Sequence, residues 1–400
     1  MTLEVSWLNK KTIRDVDVRG KRALVRVDFN VPQSKTGEIM DDSRIRAALP
    51  TIQYLLANDG AVILVSHLGR PKGKPAPEFS LKPVALRLEE LLGVPVRLAP
   101  AVTGPEVARM TGGLKPGQVL MLENTRFEPG EEKNDPALAK ELASYGDIFI
   151  NDAFGAAHRA HATTAGIAAH LPAVAGLLME REIEVLDGVL RAPARPFVAI
   201  IGGVKIADKI PVLESLIQKV DTLLIGGGMS NTFMASQGRP MASTPVEQDK
   251  FDEARRILAV AASRGVTLEL PTDVVCADSF SETAKVTTID GPVPDGWMAL
   301  DIGPRSGESF AGHIRPAATV FWNGPVGVFE MAPFRGGTDA VARAVAECEG
   351  MTVVGGGDSL AAVEQAGVSD RIKHLSTGGG ALLEFMEGKI LPGVAALSDK

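Results

Sequence analysis

Cysteines, aromatic residues, long apolar runs and excess positive charge are all scarce in this chain of 400 residues. The only two cysteines, Cys276 and Cys348, lie far apart, which excludes a metal-binding cysteine motif and a disulfide framework. No run of about 18 apolar residues occurs, so we expect no segment that spans a membrane. The net charge of −7 argues against a general nucleic-acid-binding protein. Aromatic residues, at 5%, decide nothing about function.

The remaining composition is that of an ordinary globular protein, with 45% hydrophobic and 23% charged residues. The first residues, MTLEVSWLNKK, lack the apolar core of a signal peptide, so we expect a cytoplasmic protein. A chain of this length is too long for one ordinary core and predicts two domains of about 200 residues each.

Short runs of Val, Ile and Leu alternate with helix-like stretches along the whole chain. The predicted strands are residues 23–27, 61–65, 119–122, 147–150, 197–201, 222–225, 266–270, 319–322 and 352–354. The predicted helices include residues 45–57, 82–92, 136–144, 248–264 and 340–347. Continuous apolar runs alternating with helices are typical of buried parallel strands in α/β units.

The two halves of this pattern are separated by residues 179–191, which predict one helix, and by the proline-bearing segment that follows. We therefore predict an α/β protein with two doubly wound, Rossmann-like parallel-sheet domains joined by a connecting helix. The predicted borders are residues 1–178 for the first domain, 179–195 for the connecting helix and hinge, and 196–386 for the second domain.

Basic and polar residues follow the strands of the first half. They include Asp28, Asn30, five arginines (Arg26, Arg44, Arg70, Arg126 and Arg159) and three histidines (His67, His158 and His161). Parallel strands end at one edge of a sheet, so these side chains are expected to converge there. A single arginine after a strand is usually solvated or structural. Several clustered cations, however, repel each other without an anion, which favours a phosphorylated or carboxylated ligand.

Glycines follow the strands of the second half, and the segment FVAIIGGVKIADK (residues 197–209) is the most informative of these. A helix that starts just after Gly202 and Gly203 would carry Lys205 and Lys209 on one face near its N-terminus. Helix starts, glycines and two cations together favour a polyphosphate ligand. The alternative is a tight strand–helix turn with two solvated lysines, since the spacing GxxxxGK[ST] is absent.

Three further glycine loops follow predicted strands, in IGGGMSNTF, WNGPVG and VVGGGDS, and a fourth lies in STGGGA near the C-terminus. Several such loops at one sheet edge predict a nucleotide that lies across the backbone. Asp358 in VVGGGDS suits Mg²⁺, which takes one or two carboxylates together with phosphate oxygens, although the same residue suits a helix N-cap. Glu330 is either a contact to ribose hydroxyls or a solvated carboxylate.

Two rival functions share some of these features. A nicotinamide-dependent dehydrogenase requires GxGxxG after a strand and an acidic residue about 20 positions later, and that spacing is absent. A non-catalytic nucleotide-binding scaffold would keep the glycine loops but would not need Lys205 together with Arg44.

The motifs of the whole chain resemble those of the phosphoglycerate kinase family. They are RVDFNVP (26–32), SHLGRP (66–71), NDAFGAAHRAH (151–161), GGVKIADK, GGGM, FWNGPVGVFE, GGGDS and STGGGA, and they span residues 8–395 in the order of the family. The resemblance implies reversible phosphoryl transfer from 1,3-bisphosphoglycerate to MgADP, which gives 3-phosphoglycerate and MgATP. It also implies a monomer.

The resemblance implies a role for each matching residue. Asp28 and Asn30 match contacts to the substrate hydroxyl and carboxyl end, and Arg44 matches an arginine at the reacting carboxyl. The anchors of the non-transferred phosphate match His67, Arg70, Arg126 and Arg159. Lys205 matches the lysine that follows the moving phosphoryl group. The other implied nucleotide contacts are Lys209, Gly227, Gly228, Asn323, Pro325, Glu330, Gly356, Gly357, Asp358 and Ser359, with Asp358 as the Mg²⁺ ligand.

The implied chemistry requires neither a nucleophile nor a general base, so Asp28 is assigned to substrate binding. The attacking group is a carboxylate or an ADP phosphate, each ionised at pH 7. Catalysis then consists of alignment, charge neutralisation and exclusion of water. The two ligands are expected on different domains, which must close to react. In the family the C-terminal tail, here residues 387–400, returns to the first domain.

Overall fold

The computed structural model describes residues 9–400, which divide into two compact units. The first unit comprises the chain up to Asp187 together with Ile390–Lys400, and the second unit comprises Gly188–Lys389. The domain borders predicted from the sequence, at residues 178, 195 and 386, stay predictions.

The first unit is built on a six-stranded parallel sheet with helices between its strands. The strands are β1 (Arg22–Arg26), β2 (Ala61–Val65), β3 (Val96–Leu98), β4 (Val119–Met121), β5 (Ile148–Asn151) and β6 (Ala173–Ala175), in the spatial order β3-β4-β2-β1-β5-β6. The helices are α1 (Ser43–Ala57), α2 (Lys82–Leu92), α3 (Pro105–Gly112), α4 (Pro136–Ala143) and α5 (Leu177–Arg191), the last of which leads into the second unit.

The second unit contains a second six-stranded parallel sheet and a small antiparallel sheet. Its strands are β7 (Phe197–Ile201), β8 (Thr222–Ile225), β9 (Thr267–Glu269), β10 (Val274–Ala277), β11 (Val286–Ile289), β12 (Met298–Ile302), β13 (Thr319–Asn323), β14 (Met351–Gly355) and β15 (His374–Ser376). Its helices are α6 (Ile210–Ile217), α7 (Gly227–Ser236), α8 (Phe251–Ser263), α9 (Pro304–Ile314), α10 (Gly336–Glu347), α11 (Gly357–Gln365) and α12 (Gly380–Met386). The large sheet has the order β15-β14-β13-β7-β8-β9, and the small sheet has the order β11-β10-β12.

The central strands of both large sheets are buried along their whole length. Every residue of β2, β7 and β13 is buried, because helices cover both faces of a doubly wound parallel sheet. Trp322 in β13 is fully buried and donates its indole N–H to the carbonyl oxygen of Gly324 at 2.7 Å. The predicted two-domain α/β fold is confirmed, and within residues 9–400 no helix has both the length and the apolarity needed to cross a membrane.

The strand order of each large sheet reverses at one place. In the first unit the chain leaves β1 towards β2 on one side and later leaves β5 towards β6 on the other. In the second unit the same reversal separates β7 from β13. Ligands of doubly wound folds bind outside the carboxyl ends of the strands at this switch point. A ligand site is therefore expected at the loops that follow β1, β5, β7 and β13.

The C-terminal tail belongs to the first unit. It ends in α13 (Pro392–Ala395) and a short extended segment. Within this unit the amide of Gly393 donates to the carbonyl oxygen of Ala157 at 2.8 Å, and the amide of Ser398 donates to that of Ala173 at 2.9 Å. The predicted return of the tail is thus present, and the returning segment starts at Ile390.

Several predicted element borders differ from the structure by a few residues. The strand predicted over residues 266–270 is only Thr267–Glu269, and the helix predicted over 248–264 is a 3₁₀ turn followed by α8. The short strands β3, β6 and β15 and the antiparallel strands β10 to β12 were not predicted. These are short segments, and the exposed positions that alternate along β11 remove the continuous apolar signal.

The prediction of a helix directly after Gly202 and Gly203 is wrong. Helix α6 begins only at Ile210, so Lys205 lies in a loop and Lys209 occupies the N-cap. Pro211 explains the late start, because a helix beginning near residue 204 would place this proline in its interior, where it removes a hydrogen bond. The two lysines therefore do not share a helix face.

Gly202 offers a direct test of the close approach between the loops after β7 and β13. A Cβ atom at this position would lie 2.1 Å from the carbonyl oxygen of Pro325. We expect Gly202→Ala to lower the apparent unfolding midpoint by an amount equivalent to about 1–3 kcal/mol, the usual cost of an overpacked site. Thermal unfolding followed by circular dichroism measures this.

Gly312→Ala is the matched control, because Gly312 lies in α9 with nothing within 4 Å of its virtual Cβ. This substitution should stabilise by about 0.5–1 kcal/mol, since glycine is unfavourable inside a helix. A Gly202→Ala variant as stable as Gly312→Ala would contradict the close loop contact.

Candidate active site

The loop after β1 and the first turn of α1 form one ion pair at the edge of the first unit. Arg44 Nη1 donates to Asp28 Oδ2, and Asp28 also accepts from the amide of Asn30 at 3.4 Å. Burial opposes ionisation of Asp28, but Arg44, Arg26 and the Asn30 amide lower the pKa of this carboxyl. Asp28 is therefore ionised and paired with cations. This is expected for a residue that orients its neighbours and does not accept a proton.

The loops after β2 and β4 are held together by buried polar contacts. Asn124 is fully buried, and its side chain bonds both the amide of Leu68 (3.1 Å) and the carbonyl oxygen of Leu68 (2.7 Å). Arg126 Nη1 donates to the carbonyl oxygen of Gly69 at 2.7 Å, and the amide of Gly69 donates to Asn30 Oδ1 at 2.8 Å. Three predicted site loops therefore form one rigid edge.

His67 lies in this edge with 6% of its surface exposed, and its Nδ1 lies 2.8 Å from Nη2 of Arg26. Arg26 itself is 1% exposed, so it contributes no surface for a ligand. Arg26 therefore lies with the other predicted cations at this edge, but its burial keeps it from facing a ligand. Its guanidinium sits at the end of β1 and pairs with the buried Glu131 at 3.2 Å.

The remaining predicted residues of the first unit are more open. Arg70 and Arg159 are exposed, and Arg44 is half-buried. Arg159 Nε donates to His158 Nε2 at 3.1 Å. Arg126 is 5% exposed and pairs with Glu132 at 3.1 Å. The edge thus offers exposed guanidinium groups beside others that are braced by acidic residues.

The pKa values of Arg126 and His161 at this edge are lowered by burial and by neighbouring positive charges. Burial lowers the pKa of Arg126, and Arg159 and Arg26 lower it further, against the effect of Glu132. The pKa of His161 falls to about 4, chiefly through burial and then through Arg26, Arg126 and Arg159. Burial is the larger cause in both cases and the neighbouring arginines add to it, so positive charge is concentrated at this edge.

The second unit contains a cavity of about 720 Å³ at the carboxyl ends of its large sheet. Its lining includes six of the residues predicted to bind nucleotide: Lys205, Gly227, Gly228, Pro325, Glu330 and Asp358. Lys205, Glu330 and Asp358 are all exposed, so charged groups of both signs surround an otherwise mostly apolar and glycine-rich cavity. This volume suits a ligand of nucleotide size.

Glycine is required where the loops of this cavity meet. Gly227 has a φ of 69°, and a Cβ there would lie 2.7 Å from the carbonyl oxygen of Gly203. Any side chain at this position would push apart the loops after β7 and β8. Backbone groups are thereby left accessible to a ligand.

The other predicted nucleotide contacts do not line the cavity but join the loops next to it. Lys209 Nζ donates to Asn323 Oδ1, and Asn323 Nδ2 donates to the carbonyl oxygen of Gly355 at 2.6 Å. Ser359 Oγ accepts from the amide of Gly324 at 2.6 Å. These contacts tie the loop after β13 to the loop after β14, which carries Gly356 and Gly357.

Asp358 lies in the first turn of α11, whose N-cap is Gly356 and has no side-chain cap. The alternative that Asp358 caps this helix is therefore wrong, and its carboxylate is free to face a ligand. Within residues 9–400 no three His, Cys, Asp or Glu side chains group as a protein-only metal site. A single carboxylate fits Mg²⁺, which is usually held by one or two carboxylates together with phosphates and water.

Sequence reasoning missed three residues that shape the two sites. Glu131 and Thr163 hold Arg26, although neither follows a strand. Asp301 lines the cavity and accepts from the amides of Gly337 (2.7 Å) and Ile302 (2.9 Å), and burial raises its pKa well above the usual range. Asp301 lies in β12 one residue before its end, and β12 was itself not predicted, so no signal in the sequence identified Asp301.

Comparison with known proteins agrees with this arrangement. The family model for phosphoglycerate kinase matches residues 13–389. The phosphoglycerate kinase of Chloroflexus aurantiacus is 58% identical over 398 residues, which cover 98% of this chain and 100% of that protein. The phosphoglycerate kinase of Roseiflexus castenholzii is 60% identical over 394 residues, which cover 98% of this chain and 99% of that protein.

Solved structures show the same likeness in three dimensions. Phosphoglycerate kinase from Coxiella burnetii is 42% identical, covers 97% of this chain and 98% of its own, and superposes with a TM-score of 0.88. The enzyme from Pyrococcus horikoshii OT3 is 30% identical with the same coverage and a TM-score of 0.85. Since the family model, the sequence relatives and the folds coincide over nearly the whole length, this chain belongs to the phosphoglycerate kinase family.

Proposed function

We propose that the chain catalyses reversible phosphoryl transfer between 1,3-bisphosphoglycerate and MgADP, a step of glycolysis that gives 3-phosphoglycerate and MgATP. Membership of the phosphoglycerate kinase family makes the chain a phosphotransferase. The observation that carries the assignment of its two ligands is the contrast between a cationic edge in one unit and a glycine-lined cavity in the other.

The first unit binds the glycerate substrate in this proposal. The phosphate that is not transferred is anchored by Arg70, Arg126, Arg159 and His67. Arginine suits this task because its planar fork donates two parallel hydrogen bonds to a phosphate. Asp28 and Asn30 contact the hydroxyl and carboxyl end, and Arg44, which Asp28 already orients, faces the reacting carboxyl group.

The second unit binds the nucleotide. The phosphates lie along the loops that carry Lys205, Lys209, Gly356 and Gly357, and Glu330 accepts from the ribose hydroxyls. Asp358 holds Mg²⁺, which when bound neutralises charge on the phosphate oxygens. Five further residues complete the proposed lining, either by contacting the nucleotide directly or by holding the loops in place: Gly227, Gly228, Asn323, Pro325 and Ser359.

The reaction needs only charge neutralisation and alignment from these residues. Either attacking group, a carboxylate or a terminal ADP phosphate, is already ionised near pH 7, so no side chain must remove a proton. Lys205 and Arg44 act on the phosphoryl group and on its acceptor oxygens as the charge moves. The lowered pKa of Asp28 agrees with a role in orientation, since an ionised partner of Arg44 keeps that arginine in place.

Turnover with 3-phosphoglycerate, ATP and Mg²⁺ tests the whole proposal. We expect ADP formation that requires all three components, measured by a coupled assay. ADP formation without 3-phosphoglycerate, or none at all, would contradict it. Hydride transfer to a nicotinamide would point instead to the dehydrogenase alternative that the family match disfavours.

The location and assembly of the protein are part of the same proposal. Both cysteines are buried and free, which suits a cytoplasm that keeps thiols reduced. The ligands are small molecules, and we propose a monomer.

Lys205→Ala tests the role of this lysine in transfer. We expect kcat to fall by about 100- to 1,000-fold, the scale of losing one preorganised donor to a developing charge. The KM values for both substrates should change much less, because the contact forms fully only in the transition state. The control is Lys219→Ala, which should leave kcat unchanged. Lys219 follows the C-terminal end of α6, whereas Lys209 precedes its N-terminal end. A normal kcat with weakened ATP binding would make Lys205 an ordinary phosphate anchor.

Arg44→Ala should lower kcat on the same scale, since it removes the cation at the reacting carboxyl group. The control is Arg46→Ala, two positions along α1, where the side chain is exposed and pairs with Asp42 at 2.8 Å. Steady-state kinetics with both substrates measures the two variants side by side. Equal kcat values for the two would remove Arg44 from the reaction.

Arg159→Ala should raise the KM for 3-phosphoglycerate by about tenfold or more, the usual range for a lost hydrogen bond to a charged group. The KM for ATP should hardly change, because Arg159 belongs to the first unit. Arg109→Ala is the control, since that side chain is 76% exposed on α3 and pairs only weakly with Glu106. A rise in both KM values would indicate a general structural defect instead.

Domain closure is required if the two ligands bind different units, because reacting atoms must approach to about 3–3.5 Å. We expect small-angle scattering to give a smaller radius of gyration with 3-phosphoglycerate and MgADP together than with either alone. This pair fills both sites without reacting, and the same data report the mass of a monomer or a larger assembly. A radius that stays constant across all ligand states would argue against closure.

A further inference from the structure

Among the five arginines that follow the strands of the first half (Arg26, Arg44, Arg70, Arg126 and Arg159), Arg26 is the most deeply buried, with 1% of its surface exposed. Its guanidinium is fixed by two fully buried partners, because Nη1 bonds both Glu131 Oε1 (3.2 Å) and Thr163 Oγ1. Thr163 also donates to Glu131 through its hydroxyl and through its amide, the latter at 3.1 Å. Glu131 and Thr163 therefore leave Arg26 little freedom of position.

The second amino group of the same guanidinium determines the protonation of His67. Nη2 of Arg26 lies 2.8 Å from Nδ1 of His67. A guanidinium has donors only and stays protonated, so Nδ1 must accept. The single proton of a neutral imidazole is then on Nε2, on the side of the ring away from Arg26.

The surroundings of His67 also keep the ring neutral. The charged groups that act on it are Arg26, Arg126, Arg159 and Asp28, and only Asp28 favours a positive ring. Burial and then Arg26 lower the pKa of His67 well below its usual range. A doubly protonated ring would turn its Nδ1–H directly against a fixed cation.

The Nε2 atom is the free end of this arrangement. Within residues 9–400, no hydrogen bond to Nε2 of His67 is seen. Nε2 is also not among the buried polar atoms that lack a partner, so it is open to solvent. An N–H donor that faces solvent beside exposed arginines suits a phosphate oxygen, which can only accept when fully ionised. A neutral donor there binds without adding to the crowded positive charge.

We propose that Arg26 is a positioning residue that holds His67 as the neutral Nε2–H tautomer, so that His67 donates a pH-independent hydrogen bond to the substrate phosphate. This inference rests on the proposed substrate of the first unit. It differs from a direct role for Arg26 as a phosphate ligand, which its burial excludes. It also assigns a purpose to Glu131 and Thr163, which hold the arginine in place.

Nitrogen NMR of ring-labelled histidine in the full chain tests the tautomer without any substrate. His67→Gln identifies the His67 signals among the six histidines. We expect an unprotonated Nδ1 and a protonated Nε2 that do not titrate between pH 6 and 8. A protonated Nδ1 at pH 7, alone or together with Nε2, would overturn the inference, whatever the activity of the protein.

Arg26→Lys tests the positioning role, because lysine keeps the charge beside Glu131 but has one nitrogen in place of the two that bond Glu131 and His67. We expect His67 to become titratable or to show both tautomers, and the KM for 3-phosphoglycerate to rise. Arg26→Met combined with Glu131→Gln removes both buried charges and should release His67 in the same way. Arg22→Lys, on the same strand and paired with Asp147, is the matched control. If both Arg26 variants give the same His67 spectrum as Arg22→Lys, the positioning role of Arg26 is contradicted.

Two substitutions of His67 test which nitrogen serves the substrate. The amide nitrogen of glutamine reaches the place of Nε2, whereas asparagine ends near the place of Nδ1. We expect the KM for 3-phosphoglycerate to be about tenfold or more higher for His67→Asn than for His67→Gln, the range for a hydrogen bond to a charged group. Equal KM values would overturn the Nε2 contact. If wild-type protein shows the expected tautomer but does not turn over 3-phosphoglycerate, the proposed function fails and the tautomer assignment stands.

Discussion

Both units depend on the constraint that a buried parallel sheet brings all its strand ends to one edge. In each large sheet the central strands are buried and mostly apolar, so a ligand meets the sheet at the carboxyl ends of these strands. The polar and glycine residues of the two sites lie at the last positions of the strands, such as Arg26 and Asn323, and in the loops that follow. The reversal of strand order then separates two loops at the centre of the edge, between β1 and β5 in one unit and between β7 and β13 in the other. The two edges differ because their loops differ in sequence, although their sheets have similar architecture.

Charge is balanced in pairs at the edge of the first unit. Arg26, Arg44 and Arg126 are each braced by a carboxylate, from Glu131, Asp28 and Glu132 respectively. These pairs let several cations stand close together before an anion arrives, while Arg70 and Arg159 remain exposed. Exposure separates two of these roles: Arg26, with 1% of its surface exposed, orders its neighbours, whereas Arg70 and Arg159 are available to a ligand. The second unit uses close backbone packing and a few charged groups around an apolar cavity instead.

The parts of the fold that the sequence predicted are those with a continuous local signal. The strands Ala61–Val65 and Phe197–Ile201 and the helix Lys82–Leu92 agree with the structure residue by residue, because each is a compact apolar run or a full helical period. The small antiparallel sheet was missed, since its strands pair with each other only through the folded chain. Helix α6 begins later than predicted because Pro211 restricts the start of a helix more strongly than Gly202 and Gly203 favour it.

The sequence by itself determined the two-domain α/β class, the family and the chemical types at the strand ends: cations in the first half, glycines in the second. These follow from local composition and order, which need no knowledge of distant contacts. Only the tertiary structure decided that Arg26 is buried against His67, that Lys205 lies in a loop, and that Asp301 borders the cavity. Burial and hydrogen-bond partners come from residues that are distant in the chain, such as Glu131 for Arg26, and no local pattern encodes that pairing.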